Sequence, residues 1–302
     1  MKTITLVGLA SATLIAALGS VSPVAAADLG SPRGGSIKDG YAPMQYAPSR
    51  GSAGPCYIRG DLGYSWAKNP HAAFPVSNDI TEVDGTGAVV AQSSTYLGDT
   101  VSATSLSNAA FGGVGLGCGS GSRGLRGEVM LNQYGWRNFK GEPLAYSNYT
   151  IVTGDPTPAP IEDPMHTRVK STTLMFNAYY DLGKFGGVTP YVGAGVGVAY
   201  NRTGETYFTD NPSLVNRIEG ASRLSLAWSV GAGIGWQVSE RAVLDVGYRY
   251  TDLGKAITGR IDNTGAVNPA AHIDQMGNHE VKVGLRYHLG GGNDCCATQP
   301  MK

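Results

Sequence analysis

Charged residues are scarce in this sequence, and neither sign is in excess. They make up 15% of the 302 residues, and 23 Lys and Arg stand against 23 Asp and Glu. A nucleic-acid-binding domain carries a clustered basic surplus, so this balance removes the electrostatic case for a nucleic-acid partner. Beyond the first 27 residues, no apolar run reaches the roughly 20 residues of a membrane helix. A chain of this kind can be integral to a membrane only through strands, because only helices and closed barrels satisfy their backbone in lipid.

Cysteine, histidine and phenylalanine are rare, whereas glycine and tyrosine are abundant. The 44 Gly, and the 16 Tyr against 6 Phe, suit neither a helical bundle nor a doubly wound enzyme, and they favour β structure with many turns. The candidate acid and base residues lie beside no plausible nucleophile, so we expect no enzyme. These candidates are His279 with Glu280, His272 with Asp274, and His166.

The first residues have the pattern of an export signal. Lys2 precedes an apolar run from Ile4 to about Leu18, and Ala25 and Ala27 form an A-x-A cleavage site. We predict a signal peptide over residues 1–27, which leaves a mature chain with 22 basic and 23 acidic residues, net −1. Residues 28–55 are rich in Gly, Pro and Ser, which indicates a flexible periplasmic leader.

Segments with a period of two begin at Cys56 and predict eight strands. Long connections (67–107, 138–168, 202–221 and 252–278) alternate with short ones (119–123, 182–189 and 237–241). In an up-and-down barrel, every long loop then lies at one rim and every short turn at the other, as in outer-membrane barrels. We therefore predict an all-β, eight-stranded antiparallel up-and-down transmembrane β-barrel over residues 56–290, whose last strand closes against its first.

Each predicted strand has one apolar and one polar face. A soluble barrel would turn the apolar face inward, whereas an outer-membrane barrel turns it toward lipid. The export signal, the loop asymmetry and the aromatics near strand ends favour lipid outside. We expect nine charged side chains in the lumen: Arg59, Asp61, Arg126, Glu128, Asp245, Arg249, Glu280, Lys282 and Arg286.

Several motifs resemble the small opacity-like, porin-like outer-membrane β-barrels of alphaproteobacteria. They are "AADLG", "CYIRGDLGYSW", "AFGGVGLG", "TPYVGAGVGVAY", "LDVGYRYTDLG" and "HEVKVGLRY", in this order. The resemblance implies an outer-membrane location, insertion by the barrel-assembly machinery, and roles in envelope integrity, surface antigenicity, haemin binding or adhesion. It also implies a closing-strand signal at Val283, Leu285, Tyr287 and Leu289. This chain departs from the family pattern by a C-terminal tail, residues 291–302.

The four cysteines form two groups. Cys56 opens the first predicted strand and Cys118 ends the second, so both lie at the periplasmic rim, either as a disulfide or as two separate thiols. Cys295 and Cys296 are adjacent in the tail, where a disulfide or a bond to another chain is favoured over a metal site.

Two glycine runs alternate with apolar residues and lack the G-x-G-x-x-G spacing of a nucleotide loop. They predict a bare inner wall that makes room for long charged side chains opposite, which favours a filled lumen. The alternative is a narrow water-filled crevice that passes small solutes. The residues of this predicted wall are Gly193, Gly195, Gly197, Gly231, Gly233 and Gly235.

The function predicted from these features is that of a structural outer-membrane barrel with long surface loops and no resident cofactor. The alternatives are a haemin-binding or host-surface-binding, adhesin-like protein, and a narrow pore. Tyr207, Phe208 and His272 lie in the loops, where Tyr or His could hold a haem iron.

Overall fold

The computed structural model describes residues 54–119, 123–144, 147–156, 162–209 and 217–289. The predicted signal peptide, the leader up to residue 53, and the tail with Cys295 and Cys296 lie outside these ranges. In the described part of the chain, no helix is long and apolar enough to cross a membrane.

The described residues form seventeen strands. In chain order they are β1 (Cys56–Ala67), β2 (His71–Val83), β3 (Val89–Thr100), β4 (Ser102–Leu106), β5 (Ala109–Gly119), β6 (Gly124–Tyr134), β7 (Arg137–Glu142), β8 (Ser147–Val152), β9 (Met165–Asp181), β10 (Val188–Thr203), β11 (Thr206–Phe208), β12 (Arg217–Ile218), β13 (Ser222–Gln237), β14 (Ala242–Asp252), β15 (Ala256–Ile257), β16 (His272–Asp274) and β17 (Gly277–His288).

Eight of these strands close into a barrel in the order β1, β5, β6, β9, β10, β13, β14, β17. Each is antiparallel to the next, and β17 returns to pair with β1, with Ile58 opposite Tyr287. The predicted eight-stranded antiparallel up-and-down barrel is confirmed. Closure gives every barrel strand two neighbours and leaves no free edge in the ring.

Alternation along the strands places apolar side chains on the outer face and polar side chains in the lumen. Leu62, Leu125 and Leu226 are 74%, 72% and 72% exposed, although each belongs to a barrel strand. The inward residues of the same strands are buried and polar. This arrangement is that of a barrel solvated by lipid, and it contradicts the soluble alternative.

The long connections, which were predicted only as loops, contain strands of their own in addition to the eight predicted ones. The barrel strands β9 and β10 extend beyond the membrane-length segment, and β7 and β11 pair with the extension of β9. A second sheet joins β2 with β3, β8, β16 and β15. Period-two patterning was weak in these segments because few of their strands bury one face completely.

An apolar cluster lies where the barrel meets these loop strands. It includes Phe74 and Val76 of β2, Phe111 and Tyr134 of the barrel, and Ile273 of β16. The Phe111 and Tyr134 rings stack with centroids 5.2 Å apart. The cluster therefore combines side chains from the barrel and from the second sheet at the long-loop end.

Candidate functional site

All nine charged side chains predicted for the lumen are buried inside the barrel, each no more than 4% exposed. Two further charges join them. Asp181 ends β9 and Arg137 begins β7, and both are 2% exposed. Asp181 follows the polar phase of its strand, whereas Arg137 lies where the sequence predicts the start of a long connection.

Glu128 is the centre of the first ion-pair network. Its Oε1 accepts hydrogen bonds from Tyr57 Oη at 2.6 Å and from Arg59 Nη1 at 2.9 Å. Arg126 donates to the same carboxylate oxygen and also pairs with Asp181 at 3.2 Å. The network links β1, β6 and β9 across the lumen, and the two guanidinium groups that share the Glu128 carboxylate each pair with a second acid, Asp61 for Arg59 and Asp181 for Arg126.

Asp61 continues the network around the wall. It accepts from Arg59 Nε at 2.7 Å and from Lys282 Nζ at 2.8 Å, which connects β1 to β17. Arg286 forms a two-point contact with Asp245 of β14, at 2.6 and 3.2 Å. Paired contacts of this type fix the geometry of both side chains.

A second cluster lies nearer the long loops and is centred on Glu280. Its Oε2 accepts from Arg249 Nε at 2.7 Å, and its Oε1 accepts from Tyr134 Oη at 2.7 Å. Arg137 donates to Asn278 beside it, and its guanidinium carbon lies 4.9 Å from the centre of the Tyr134 ring. The polar network therefore reaches the apolar cluster at the long-loop end, to which Tyr134 also belongs.

The predicted glycine wall is neither continuous nor bare. Only Gly193 and Gly231 are direct cross-strand partners, whereas Gly195 faces Ser229 and Gly233 faces Tyr191. The side chains of neighbouring strands cover the glycines. A Cβ atom on Gly193 would lie 2.2 Å from Tyr179 Cδ1. Atoms of Asn177, Met175, Arg249, Tyr191 and Arg286 similarly lie within 3.2 Å of a Cβ placed at Gly195, Gly197, Gly231, Gly233 and Gly235, respectively.

The space left beside this wall is small. A cavity of about 10 Å³ lies among Tyr179, Tyr191, Arg249 and Lys282, next to Gly193. This volume is about that of one water-sized probe. The glycines thus make room for tyrosine and arginine side chains that fill the lumen.

Cys56 and Cys118 are directly opposed on β1 and β5 and form a disulfide, with their Cα atoms 4.0 Å apart. The bond lies at the rim that holds the short turns. Val283, Leu285, Tyr287 and Leu289 all face outward and are between 44% and 49% exposed. The backbone N–H of Leu289 donates to the carbonyl of Cys56, so this segment closes the ring next to the disulfide.

The histidines do not form an active-site constellation. His279 faces outward and contacts Tyr248 Oη at 2.6 Å, whereas its neighbour Glu280 faces the lumen. His272 and Asp274 lie on the short strand β16, beside β2. Among the described residues, no group of three or more His, Cys, Asp or Glu is placed to hold a metal ion.

A cleft of about 590 Å³ lies on the extension of β9, where β7 and β11 pair with it and β12 adds Arg217 to the lining. His166 stacks on Tyr207 within it, with ring centroids 5.2 Å apart. Partial burial and the nearby Lys140 ammonium lower the pKa of His166 below its usual value. Arg168, Arg217 and Glu205 complete the charged lining. Periodicity did not reveal this cleft, because β11 and β12 are only three and two residues long.

Comparisons with known proteins agree with this architecture. Residues 141–289 match the family model of the Opacity family porin protein. Outer membrane protein PagN of Salmonella typhimurium is 30% identical over 158 residues, which cover 49% of this chain and 61% of PagN, less than two thirds of its length. An uncharacterised protein of Brucella abortus is 28% identical over 258 residues, covering 77% of this chain and 84% of that protein.

Solved structures similar to this chain include two bacterial surface barrels. Neisserial surface protein A is 17% identical and aligns over 78% of this chain and 99% of its own, with a TM-score of 0.38. The outer membrane protein OprG of Pseudomonas aeruginosa is 14% identical over 79% of this chain and 99% of its own, with a TM-score of 0.41. The family match over residues 141–289, the sequence relatives and the closed, lipid-facing barrel show that this chain is a small β-barrel of the bacterial outer membrane that is similar to the Opacity family porin proteins.

Proposed function

We propose that this protein is a structural, non-conducting outer-membrane barrel whose strands carry an ordered surface platform. The observation that supports this function best is the filled lumen. Ion pairs that join β1, β6, β9, β14 and β17 occupy its cross-section, and the apolar cluster covers its long-loop end. Passage of a solute would require buried charges to separate, which is energetically costly.

The same observation argues against the narrow pore and against catalysis in the lumen. Every lumen carboxylate named above is held by at least one cation, so none is left as a free acid or base. We propose that the protein is not an enzyme and that its contribution to the envelope is mechanical.

Conductance tests the closed barrel directly. The full-length protein, extracted from the outer membrane and inserted into a planar lipid bilayer, should give no stepwise ion current. Its closed state should be verified on the same sample by a gel shift on boiling. Reproducible single-channel steps from the folded protein would contradict the proposal.

A deletion strain tests the structural role. Loss of the protein should increase sensitivity to detergents and large antibiotics. We expect a variant whose residues 68–108 are replaced by a short turn to restore resistance as well as the wild type does, provided that it shifts on boiling. Failure of the folded wild-type protein to restore resistance would argue against a structural role.

A second candidate, adhesion to a host surface, is supported by the strand β3. Among the described residues β3 pairs only with β2, so its other edge is open. Only Asp99 is charged among its twelve residues, and Val90 and Tyr96 are 54% and 61% exposed. A long, exposed edge with little charge invites pairing with another strand, a risk that most proteins avoid.

Charge placed on β3 tests adhesion. Cells that carry V90K/Y96K should attach to host cells less than wild-type cells do. I261K/V267K is the matched control, because Ile261 and Val267 are also exposed apolar residues of the long loops. Equal attachment by wild type and V90K/Y96K would remove β3 as the adhesive surface.

Haemin binding would use the cleft on β9 rather than the isolated His272. The cleft brings together His166 and Tyr207, which are residue types that hold haem iron. The cations of its lining would pair with the carboxylates of haemin. We propose a haemin titration of the purified protein, followed by its visible absorption. A saturable spectral change that H166A/Y207F abolishes would support this ligand, whereas a change equal in both proteins would argue against it.

We further propose that the barrel-assembly machinery inserts the chain by reading the outward residues of β17, from Val283 to Leu289. Y287A should then lower the amount of folded protein in the outer membrane. Tyr64 on β1 is a comparable outward tyrosine, so Y64A is the control. Equal folded yields for the two variants would contradict a special role for β17.

A further inference from the structure

The outer face of the barrel carries a ladder of cations directly above its apolar band. Along β9, the outward residues after Leu174 are Thr172, Lys170, Arg168 and His166. Successive outward residues lie about 6.6 Å apart along a strand. Lys170 is therefore two steps beyond the aliphatic band, at the level where lipid headgroups replace acyl chains.

The neighbouring strands add cations along the same stretch of β9. Arg202 of β10 is the cross-strand partner of Lys170. Lys140 of β7 is the partner of His166, one step above Arg168. Arg217 of β12 reaches the same cleft and pairs with Glu205 at 3.3 Å. In the part of the chain that the structure describes, Lys140, Lys170 and Arg202 form no ion pair with an acid.

Trp136 marks the position of the membrane interface within this ladder. Its ring lies 5.5 Å from the Arg168 guanidinium carbon and 5.8 Å from Lys170 Nζ. Tryptophan is enriched at the boundary between acyl chains and headgroups, where one side of the ring is apolar and the other is wet. Two cations on this ring are thus held at headgroup height with their N–H groups available to a ligand.

The ladder occupies only one side of the barrel. On β14, β17 and β1, the outward residues near the long-loop end are mostly aromatic, namely Tyr248, Tyr250, His279 and Trp66. The charged residues there are the outward acid Asp252 on β14 and the exposed Lys68, which follows β1. An ordinary aromatic girdle therefore serves the opposite side. A uniform attraction to anionic lipid would not require such asymmetry.

We propose that Lys140, Arg168, Lys170 and Arg202 form a docking surface for the phosphate groups of a phosphorylated glycolipid in the outer leaflet. Acyl chains of the lipid lie on the band at Leu174, and its phosphates meet the ladder. Guanidinium and ammonium groups form strong charge-assisted hydrogen bonds with phosphate. The concave cleft above Arg168 gives the sugar of the headgroup a place beside the barrel wall.

Lipid retention on the full-length protein tests this surface. The protein is purified from the outer membrane in a neutral detergent with EDTA, and native mass spectrometry then measures binding of added lipid A. Parallel samples receive lipid A from which both phosphates have been removed, phosphatidylglycerol, or inorganic phosphate as a competitor. The variants are R168Q/K170Q and the control K255Q/R260Q, which removes two exposed cations from the fourth long loop.

We expect the wild type and K255Q/R260Q to retain lipid A equally and R168Q/K170Q to bind it about tenfold more weakly. Dephosphorylated lipid A and phosphatidylglycerol should be retained less by the wild type. Both variants should still shift on boiling, which separates a lost surface from a misfolded barrel.

Three results would overturn the assignment. Equal retention of phosphorylated and dephosphorylated lipid A would show that acyl chains alone bind. Equal binding by the folded R168Q/K170Q variant and the wild type would remove the ladder from the site. Complete displacement of lipid A by millimolar inorganic phosphate would indicate a site for free anions rather than for lipid. None of these outcomes depends on whether the lumen conducts or the protein has a structural role.

Discussion

The lumen and the outer face of this barrel use the same cationic side chains in opposite ways. Inside, Arg59 and Arg126 share the carboxylate of Glu128, and both are almost completely buried. Outside, Arg168 and Arg202 are exposed just above the lipid-facing band, on strands that also contribute to the lumen. Because side chains alternate between the two faces of a strand, neighbouring residues of one strand belong to the lumen and to the outer face.

The difference follows from the medium that each face meets. A charge in the closed lumen has no bulk water, so it must be neutralised by a protein group. A charge above the apolar band has water and lipid phosphates as partners and can remain free of protein acids. Internal pairing is therefore the observation behind the proposed structural role, whereas the external cations without an acidic partner are the observation behind the proposed lipid surface.

The largest expected effect comes from breaking the lumen network at its centre. E128Q keeps the shape of the side chain but removes the carboxylate charge that Arg59 and Arg126 share, so too little negative charge remains beside the two guanidinium groups. Removing one partner of a buried ion pair costs about 3–5 kcal/mol, and we expect a loss of this size in the free energy of unfolding. Guanidinium titration of the protein in lipid vesicles, followed by tryptophan fluorescence, measures it.

The matched control for E128Q is E205Q, which removes the acid from the exposed pair with Arg217. Such a pair contributes about 0–1 kcal/mol, because water screens it. If both substitutions cost the same, the contrast between inner and outer charges would be wrong.

The next largest effect concerns the covalent connection at the short-turn rim. The disulfide between Cys56 and Cys118 closes a loop with a sequence separation of 62. A bond of this type contributes about 2–4 kcal/mol, mainly by restricting the unfolded chain. C56S/C118S should lose that much stability in the same titration and should no longer respond to reducing agent. If reduction leaves the stability of the wild-type protein unchanged, the disulfide adds no stability to that of the ionic network beside it.

A smaller effect is expected from filling a glycine position on the inner wall. In G193A, the new methyl group would meet the Tyr179 ring and the carbonyl oxygen of Ala178, 2.8 Å away. Overpacking of this kind costs about 1–3 kcal/mol. Gly127, by contrast, has no atom within 4 Å of an added Cβ, so G127A should change stability by less than about 0.5 kcal/mol. A stable G193A protein would mean that the lumen retains space for the pore alternative.

The sequence was sufficient to predict the barrel because its strands bury one face completely. In β1, Arg59 and Asp61 alternate with Ile58 and Leu62. A period of two identifies the segment as a strand and shows which side chains share each of its faces. The lumen charges followed from the same alternation. The disulfide partners could be placed at one rim, although pairing itself depended on the register between β1 and β5.

The parts that the sequence did not reveal depend on register between distant segments. Gly193 and Gly195 looked equivalent, yet only Gly193 faces another glycine of the predicted wall. Arg137 enters the lumen because β7 continues the wall of β9, which periodicity within six residues could not indicate. The ladder likewise combines Lys140, Lys170 and Arg202 from three strands, and only their pairing with β9 places them along one stretch of the outer wall.

The smallest expected effect probes the unpaired outer charges through His166. Burial is the main cause of its lowered pKa, and the Lys140 ammonium adds to it by repelling a protonated ring. K140Q should therefore raise the pKa of His166 while leaving it below the usual value, and K255Q should not change it. Titration of the ring protons by NMR in lipid nanodiscs measures both. Phosphorylated glycolipid in the disc should also raise this pKa, because its phosphates compensate the cations. An unchanged pKa in K140Q would show that solvent already screens the ladder, in contrast to the lumen.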